Sequence, residues 1–202
     1  MLKKRKKRSL NRDIPHEKDT NIIFIGIEGG SHQSREAKYF DIFNEKDIRL
    51  QFKVIPCKNN RSSPIDVFKH LKKQIEKEPL HDDDEVWVVI DVDRYHEHLP
   101  EVAKLCHDVG YNLAVSNPCF EYWLLLHFQN PGKQYSSCNE VKKVFSEEME
   151  SDPRNTEGYY GIFYPKFSKA VKRAQKLDVA DDGDRWPNKN ASRVYRIIKR
   201  FV

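Results

Sequence analysis

Val86-Trp87-Val88-Val89-Ile90-Asp91-Val92-Asp93-Arg94 is an apolar run that ends in two carboxylates. The run Val86–Ile90, mostly β-branched and preceded by the polar cluster His81-Asp82-Asp83-Asp84-Glu85, suits a strand buried on both faces of a parallel sheet. Asp91 and Asp93 then fall at the carboxyl end of that strand, the edge where ligands gather in open α/β sheets. One residue apart on an extended chain, their side chains point the same way and can converge on a hard cation such as magnesium. Solvated aspartates at a strand end carry the same pattern, so the rest of the chain must decide.

Upstream, Asn21–Ile27 is a second short β-branched run, and it too ends in an acid, Glu28. Gly29-Gly30 supplies a turn, and Ser34 can cap a helix beginning near Arg35 with Ala37, Phe40 and Phe43 inward. Leu50–Ile55 alternates apolar and polar residues as a strand should, and Pro56 ends it. Pro64 suits the first position of a helix that carries Val67, Phe68, Leu71 and Ile75. Downstream, Pro100–Val109 has helical spacing, Gly110 can cap its end, and Tyr111–Val115 is a short strand leading into Ser116-Asn117-Pro118. This alternation predicts an α/β fold with a mostly parallel sheet and right-handed crossovers. Its strand ends would bring together Glu28, Asp91 with Asp93, and Ser116-Asn117 with Glu121 just beyond.

Cys119–Phe128 is the most apolar helix-like run of the chain. Glu121 near its start can serve the site or simply complement the helix dipole, and His127 is either a ligand or a satisfied core histidine. After Gln129 the pattern changes to a helical C-terminal part. Glu140–Met149 reads as an amphipathic helix and 152–155 as a break. Tyr159, Tyr160, Phe163, Tyr164 and Phe167 interleave with Lys166, Lys169, Lys172 and Arg173. Such residues can stack bases and contact phosphates, or pack as an ordinary helix with a solvated face. A final helix is expected over Arg193–Phe201 with Val194, Ile197, Ile198 and Phe201 inward, capped by Ser192 or Asn190.

The 202 residues suffice for one substantial domain. The net charge of +5 is modest, but Lys3, Lys4, Arg5, Lys6, Lys7, Arg8 and Arg12 crowd the start. That block reads as a disordered arm over 1–19 that seeks phosphates or stays a solvated tail. The domain then spans 20–202, with a core over about 20–130 and a helical part over 131–202. Cys57, Cys106, Cys119 and Cys138 are widely spaced with no Cys-x-x-Cys pair, and are read as reduced thiols in or near the core. No apolar stretch approaches transmembrane length and no secretory leader is recognisable, which points to a cytoplasmic protein without a membrane partner.

Four features stand together: the strand ending in Glu28-Gly29, the strand ending in Asp91-Val92-Asp93, the block Ser116-Asn-Pro-Cys-Phe-Glu-Tyr-Trp-Leu-Leu-Leu-His-Phe128, and the segment Asn188–Val194 before a closing helix. In these the chain resembles the RloB family, whose Ser-Asn-Pro-x-Phe-Glu-x-Trp-Leu-Leu-x-His-Phe block is its most specific signature. The family is similar to Toprim domains, the metal-dependent fold of topoisomerases, primases and OLD-type nucleases. The resemblance implies a Toprim-like α/β domain with a C-terminal helical extension. Glu28 then matches the acid after the first strand, and Asp91 and Asp93 match the Toprim Asp-x-Asp. The family pattern runs Glu-Gly-x-x-Thr-Glu, whereas here Glu28 and Glu36 enclose a loop longer by three residues. Glu36 occupies roughly the place of the second acid. Family members commonly neighbour an AAA- or ABC-type ATPase in bacterial restriction and abortive-infection loci, so the resemblance also implies antiviral defence with a partner ATPase.

The leading expectation is a magnesium- or manganese-dependent nuclease acting on RNA, including transfer RNA, or on DNA. Glu28, Asp91 and Asp93 would hold one or two ions, with Glu28 alternatively a general acid or base, and Glu36 and Glu121 would complete a second site. Lys38 and Arg94 would contact the phosphate. Ser116, Asn117 and His127 are further site candidates. Two other readings stay open: a non-catalytic nucleic-acid-binding module docking on the ATPase, and a phosphatase of the haloacid-dehalogenase type using Asp91-x-Asp93 as its aspartate pair. A homo-oligomer is compatible with all of them.

Overall fold

The computed structural model describes residues 20–44, 50–57, 63–92, 96–130, 134–149, 151–153, 155–179 and 185–201. Four strands run parallel: β1 (Asn21–Ile27), β2 (Leu50–Pro56), β3 (Glu85–Asp91) and β4 (Asn112–Asn117). A two-residue strand, β5 (Ala191–Ser192), pairs antiparallel with the end of β4, giving the order β2-β1-β3-β4-β5. The chain therefore leaves β1 toward one edge and returns to build β3 and β4 on the other. The sheet reverses its winding between β1 and β3, and open α/β sheets bind ligands at such a point.

Local chemistry explains where each connecting helix begins. Ser34 accepts from the Ala37 N–H at the start of α1 (Arg35–Asp41). Ser63 does the same for Asp66 ahead of α2 (Pro64–Ile75), where Pro64 loses no hydrogen bond at the first position. Helix α3 (Leu99–Asp108) ends at Gly110, whose φ of 74° lies in the left-handed region that a side chain resists. The expected long helix over Cys119–Phe128 is shorter, α4 (Phe120–Leu125), and continues as turns through Phe128. Then follow α5 (Cys138–Glu148), α6 (Thr156–Phe163), α7 (Phe167–Val179) and the single turn α8 (Tyr195–Ile198).

Strand alternation sends side chains to two separate cores. Phe24, Val86, Val88, Ile90 and Val115 face α2 and α3, meeting Val67, Phe68, Leu71, Ile75, Leu99, Val102 and Cys106. Ile23, Ile25, Ile27, Trp87 and Val89 face α1 and the C-terminal helices. Fully burying each such side chain contributes about 1.5–3 kcal/mol. The second core is aromatic. Tyr39 sits at its centre, meeting Phe120, Trp123, His127 and Phe163 edge to face at centroid distances of 5.5–6.0 Å. Covered by the sheet on one side and by helices on the other, α1 buries Tyr39 as well as the expected Ala37 and Phe40.

The C-terminal part returns to the sheet instead of remaining a purely helical extension, because β5 lies against β4 and α5–α8 pack into the aromatic core. The expected helix over Arg193–Phe201 is accordingly split into α8 and a 3-10 turn at Lys199–Phe201. Tyr159, Phe163 and Phe167 are core residues, so packing and not base stacking explains those aromatics. The thiol reading needs one further correction. Cys119 and Cys138 form a disulfide that joins the residue before α4 to the first residue of α5, across a Cα–Cα distance of 5.6 Å. Cys57 and Cys106 are free and buried.

Candidate functional site

Four carboxylates meet at the carboxyl edge of the sheet, at the β1/β3 switch point. Glu28 follows β1, and its Oε1 accepts the backbone N–H of Asp91, the last residue of β3, at 3.0 Å. This bond ties the two strand ends and aims one acid across the other. Glu36 comes from the first turn of α1 and Glu121 from the first turn of α4. The longer loop between Glu28 and Glu36 does not carry Glu36 away. It folds on itself, with the Ser34 N–H donating to the Ser31 carbonyl at 3.1 Å. A Cβ on Gly29 would stand 2.7 Å from Ser34 Cβ and 3.4 Å from Glu36 Oε2, so only glycine fits where the loop crosses beside this acid.

The electrostatics follow from that convergence. Burial pushes the Asp91 carboxyl well above its ordinary range, and the charges of Glu28, Glu36 and Glu121 push it the same way, with Lys142 opposing. Glu36 is also raised, chiefly by burial; its own backbone N–H opposes this, Glu121 adds to it, and Ser34 and Lys142 oppose it. Both residues keep some surface at the rim of the cleft while their carboxyl groups are turned into protein. Glu121 has acquired cations from the chain: Arg35 Nη1 at 3.2 Å and Lys142 Nζ at 3.7 Å from its Oε1. Arg35 in turn reaches Asp152 at 3.0 Å.

Oxygen donors in this number suit a hard divalent cation, and a cation is what an under-compensated acidic cluster lacks. Among the described residues, however, no three of these acids bring an oxygen each within 4.8 Å of one another. The trio that does close to that distance is Cys119, Glu121 and Cys138, and its two thiols are spent in the disulfide. Direct ligation of one ion by three of the acids therefore requires side-chain rotation, or waters in the remaining positions, which magnesium commonly keeps.

The remaining candidates divide cleanly. His127 is a core histidine and no part of the acidic cluster. It lies 3.2 Å from the Tyr39 hydroxyl through Nε2 and 3.2 Å from the Trp123 and Leu124 carbonyls through Nδ1, and burial pushes its pKa down to about 3. Ser116 shares a hydrogen bond with Ser192 at 2.8 Å, and Asn117 donates to the Pro187 carbonyl, so both hold β5 in place. Lys38 donates to the Pro153 carbonyl and lies over the Tyr159 ring. Lys166 donates to the Ile162 carbonyl, Arg173 to the Leu126 carbonyl, and Lys169 lies exposed on α7. These cations serve packing or solvent rather than the cleft. Asp93, Arg94 and the basic residues Lys3, Lys4, Arg5, Lys6, Lys7 and Arg8 lie outside the described residues. The sequence reading missed Arg35, Lys142 and Asp152. Arg35 adjoins Glu36 and could have been suspected, whereas Lys142 and Asp152 reach the cluster only through the packing of α4 on α5 and the segment after it.

Fold and site together define an α/β protein with an acidic cleft at the switch point of a five-stranded, mostly parallel sheet. The family model described as RloB-like protein matches residues 23–201, and the chain belongs to that family, as the Ser116–Phe128 block implies. No curated protein and no solved structure matches the chain. Among the described residues no helix is long and apolar enough to cross a membrane.

Proposed function

We propose that this chain is a divalent-cation-dependent, Toprim-like phosphodiesterase that cleaves RNA or DNA in bacterial antiviral defence, under the control of a partner ATPase. The observation that carries the reading is the convergence of Glu28, Glu36 and Glu121 on Asp91, whose carboxyl is raised by burial and by their charges. The placement supports Toprim likeness because one acid follows the first strand and another ends the third, on adjacent strands of a parallel sheet.

Glu28 and Asp91, with Asp93 two residues on, would hold a magnesium or manganese ion, and Glu36 would approach from α1. A cation bound there neutralises charge on the scissile phosphate and lowers the pKa of a water at its surface. The protein contributes position. The Asp91 N–H fixes one oxygen of Glu28, and Gly29 and Ser34 hold the loop beside Glu36. Arg35 and Lys142 keep Glu121 ionised by pairing it. A phosphatase of the haloacid-dehalogenase type fits less well, because its nucleophile must be an ionised aspartate and the surroundings of Asp91 favour its neutral form.

The test is cleavage of mixed cellular RNA and of plasmid DNA by purified protein with magnesium or manganese, with and without the partner ATPase. Asp91→Asn and Glu28→Gln should each lower the rate by about 100-fold or more while leaving the circular dichroism spectrum intact. Undiminished cleavage by a folded Asp91→Asn protein would sink the reading. So would failure of the wild-type protein to cleave either polymer with both metal and ATPase present.

A further inference from the structure

The opposite end of the sheet carries a second site of inverse chemistry. Where β5 pairs with only the last two residues of β4, the chain turns away at Arg193, whose N–H donates to the Val115 carbonyl at 3.0 Å. A cavity of about 540 Å³ opens beside the amino-terminal half of β4, between α3 and the C-terminal segment. Its wall carries four cations, Lys104, Arg185, Arg193 and Arg196, together with the aromatic residues Trp87 and Tyr111. Trp87 and Asp91 are separated by about 13 Å along β3, so the cavity is a different place from the acidic cleft.

Two of the cations are built into the wall. Asp178 on α7 accepts from Arg193 Nε at 2.9 Å and from Arg196 Nη2 at 2.7 Å, and it also takes the Tyr195 hydroxyl at 2.7 Å. Arg193 Nη1 donates to the Arg185 carbonyl. One carboxylate thus orients two guanidinium groups and compensates one of them, while Lys104 and Arg185 stand exposed at the rim. Guanidinium groups held this way have little rotamer entropy left to lose on meeting an oxyanion. The volume lies within the range of small-molecule sites, which combine apolar walls with a few placed polar groups. Excess positive charge in a low-dielectric recess selects an anion, and the aromatic wall suits a ring attached to it.

We propose that this cavity binds a phosphate-bearing ligand of nucleotide size, with Arg193 and Arg196 as fixed anchors and Lys104 and Arg185 as the cations that close around the phosphates. The acidic cleft repels such a ligand unless a cation is present, so chelation isolates the basic cavity. Calorimetric titration in EDTA, using in turn ATP, inorganic pyrophosphate and a short single-stranded oligonucleotide, tests this on the full chain. ATP or pyrophosphate should saturate one site per chain. Lys104→Ala with Arg185→Ala should weaken that binding about tenfold or more. Glu28→Gln, at the other edge of the sheet, should leave it within about twofold. Should the double variant fail to fold, Lys104→Glu on the exposed side of α3 carries the same test. The proposal falls if neither small ligand saturates, if the double variant binds as tightly as wild type, or if Glu28→Gln abolishes binding. It also falls if the oligonucleotide alone binds, which would make the recess part of a nucleic-acid groove.

Discussion

Asp91 and Asp178 are both carboxylates turned into protein, and they live in opposite surroundings. Burial pushes both toward the neutral form. Around Asp178, hydrogen bonds from Tyr195, Arg193 and Arg196 outweigh burial and hold its carboxyl below the ordinary range. Around Asp91 the neighbours are Glu28, Glu36 and Glu121, so they add to burial instead of opposing it. A carboxylate whose own chain supplies matching donors is part of the scaffold. A carboxylate set among others of its kind by three separate elements is one whose match must come from outside, and that is the physical case for a functional cleft.

The contrast can be broken by mutation most sharply at Asp178. Asp178→Ala leaves Arg193 buried without its partner, and urea denaturation should show a loss of about 3–5 kcal/mol. A loss below about 1 kcal/mol would show that the clamp is not structural. Next in size is the effect of a cation on the acidic side. Magnesium or manganese at about a hundred times its dissociation constant should stabilise the wild-type protein by about 2.7 kcal/mol, seen as a rise in Tm. The same addition should do nothing for Asp91→Asn, and an equal rise in that variant would place the ion elsewhere.

Proton linkage sharpens the same comparison, because the two aspartates have opposite signs. Asp91 and Glu36 are raised in the folded state, so they favour folding below the ordinary carboxylate range and lose that contribution as pH rises through their raised values. Asp178 is lowered, so its contribution is present above the ordinary range and lost as pH falls through its lowered value. His127, lowered to about 3, also favours folding at neutral pH and loses that contribution as pH falls below its unfolded value of about 6.5. Comparing each Asn variant with wild type at every pH cancels the histidine. The Asp91→Asn advantage should grow as pH rises, and the Asp178→Asn deficit should shrink as pH falls; parallel curves would refute both assignments. The smallest effect is on metal-free stability near neutral pH, where Asp91→Asn should match or exceed wild type by no more than about 1 kcal/mol. A large loss there would mean that Asp91 belongs with Asp178 as scaffold.

Much of this was legible before any coordinates, for physical reasons that also mark where reading stopped. Strands β1 and β3 announce themselves because both faces are buried, which demands unbroken apolar runs, and the acids that end them stand out against that background. Ser63-Pro64 marks a helix start through local bonding alone. Strand β5 was not legible, since two residues carry no periodicity and its partner lies 75 or so positions away in sequence. The Cys119–Cys138 pairing depends on how α4 meets α5, which spacing does not encode. His127 and the aromatics of α6 and α7 illustrate a different limit. Residue type there fits both a binding surface and a core, and only their enclosure around Tyr39 decides for the core.

The turn between Gly29 and Ser34 has a consequence for how such chains vary. Its closing bond from Ser34 to Ser31 and the crossing at Gly29 fix where α1 begins, whatever number of residues the turn contains. Insertions and deletions at this point are therefore absorbed locally, and the carboxylate of Glu36 stays beside that of Glu28. Counting positions between the two acids is a poor guide to whether they meet; the pair to look for is a glycine directly after the first acid and a hydroxyl residue two places before the second.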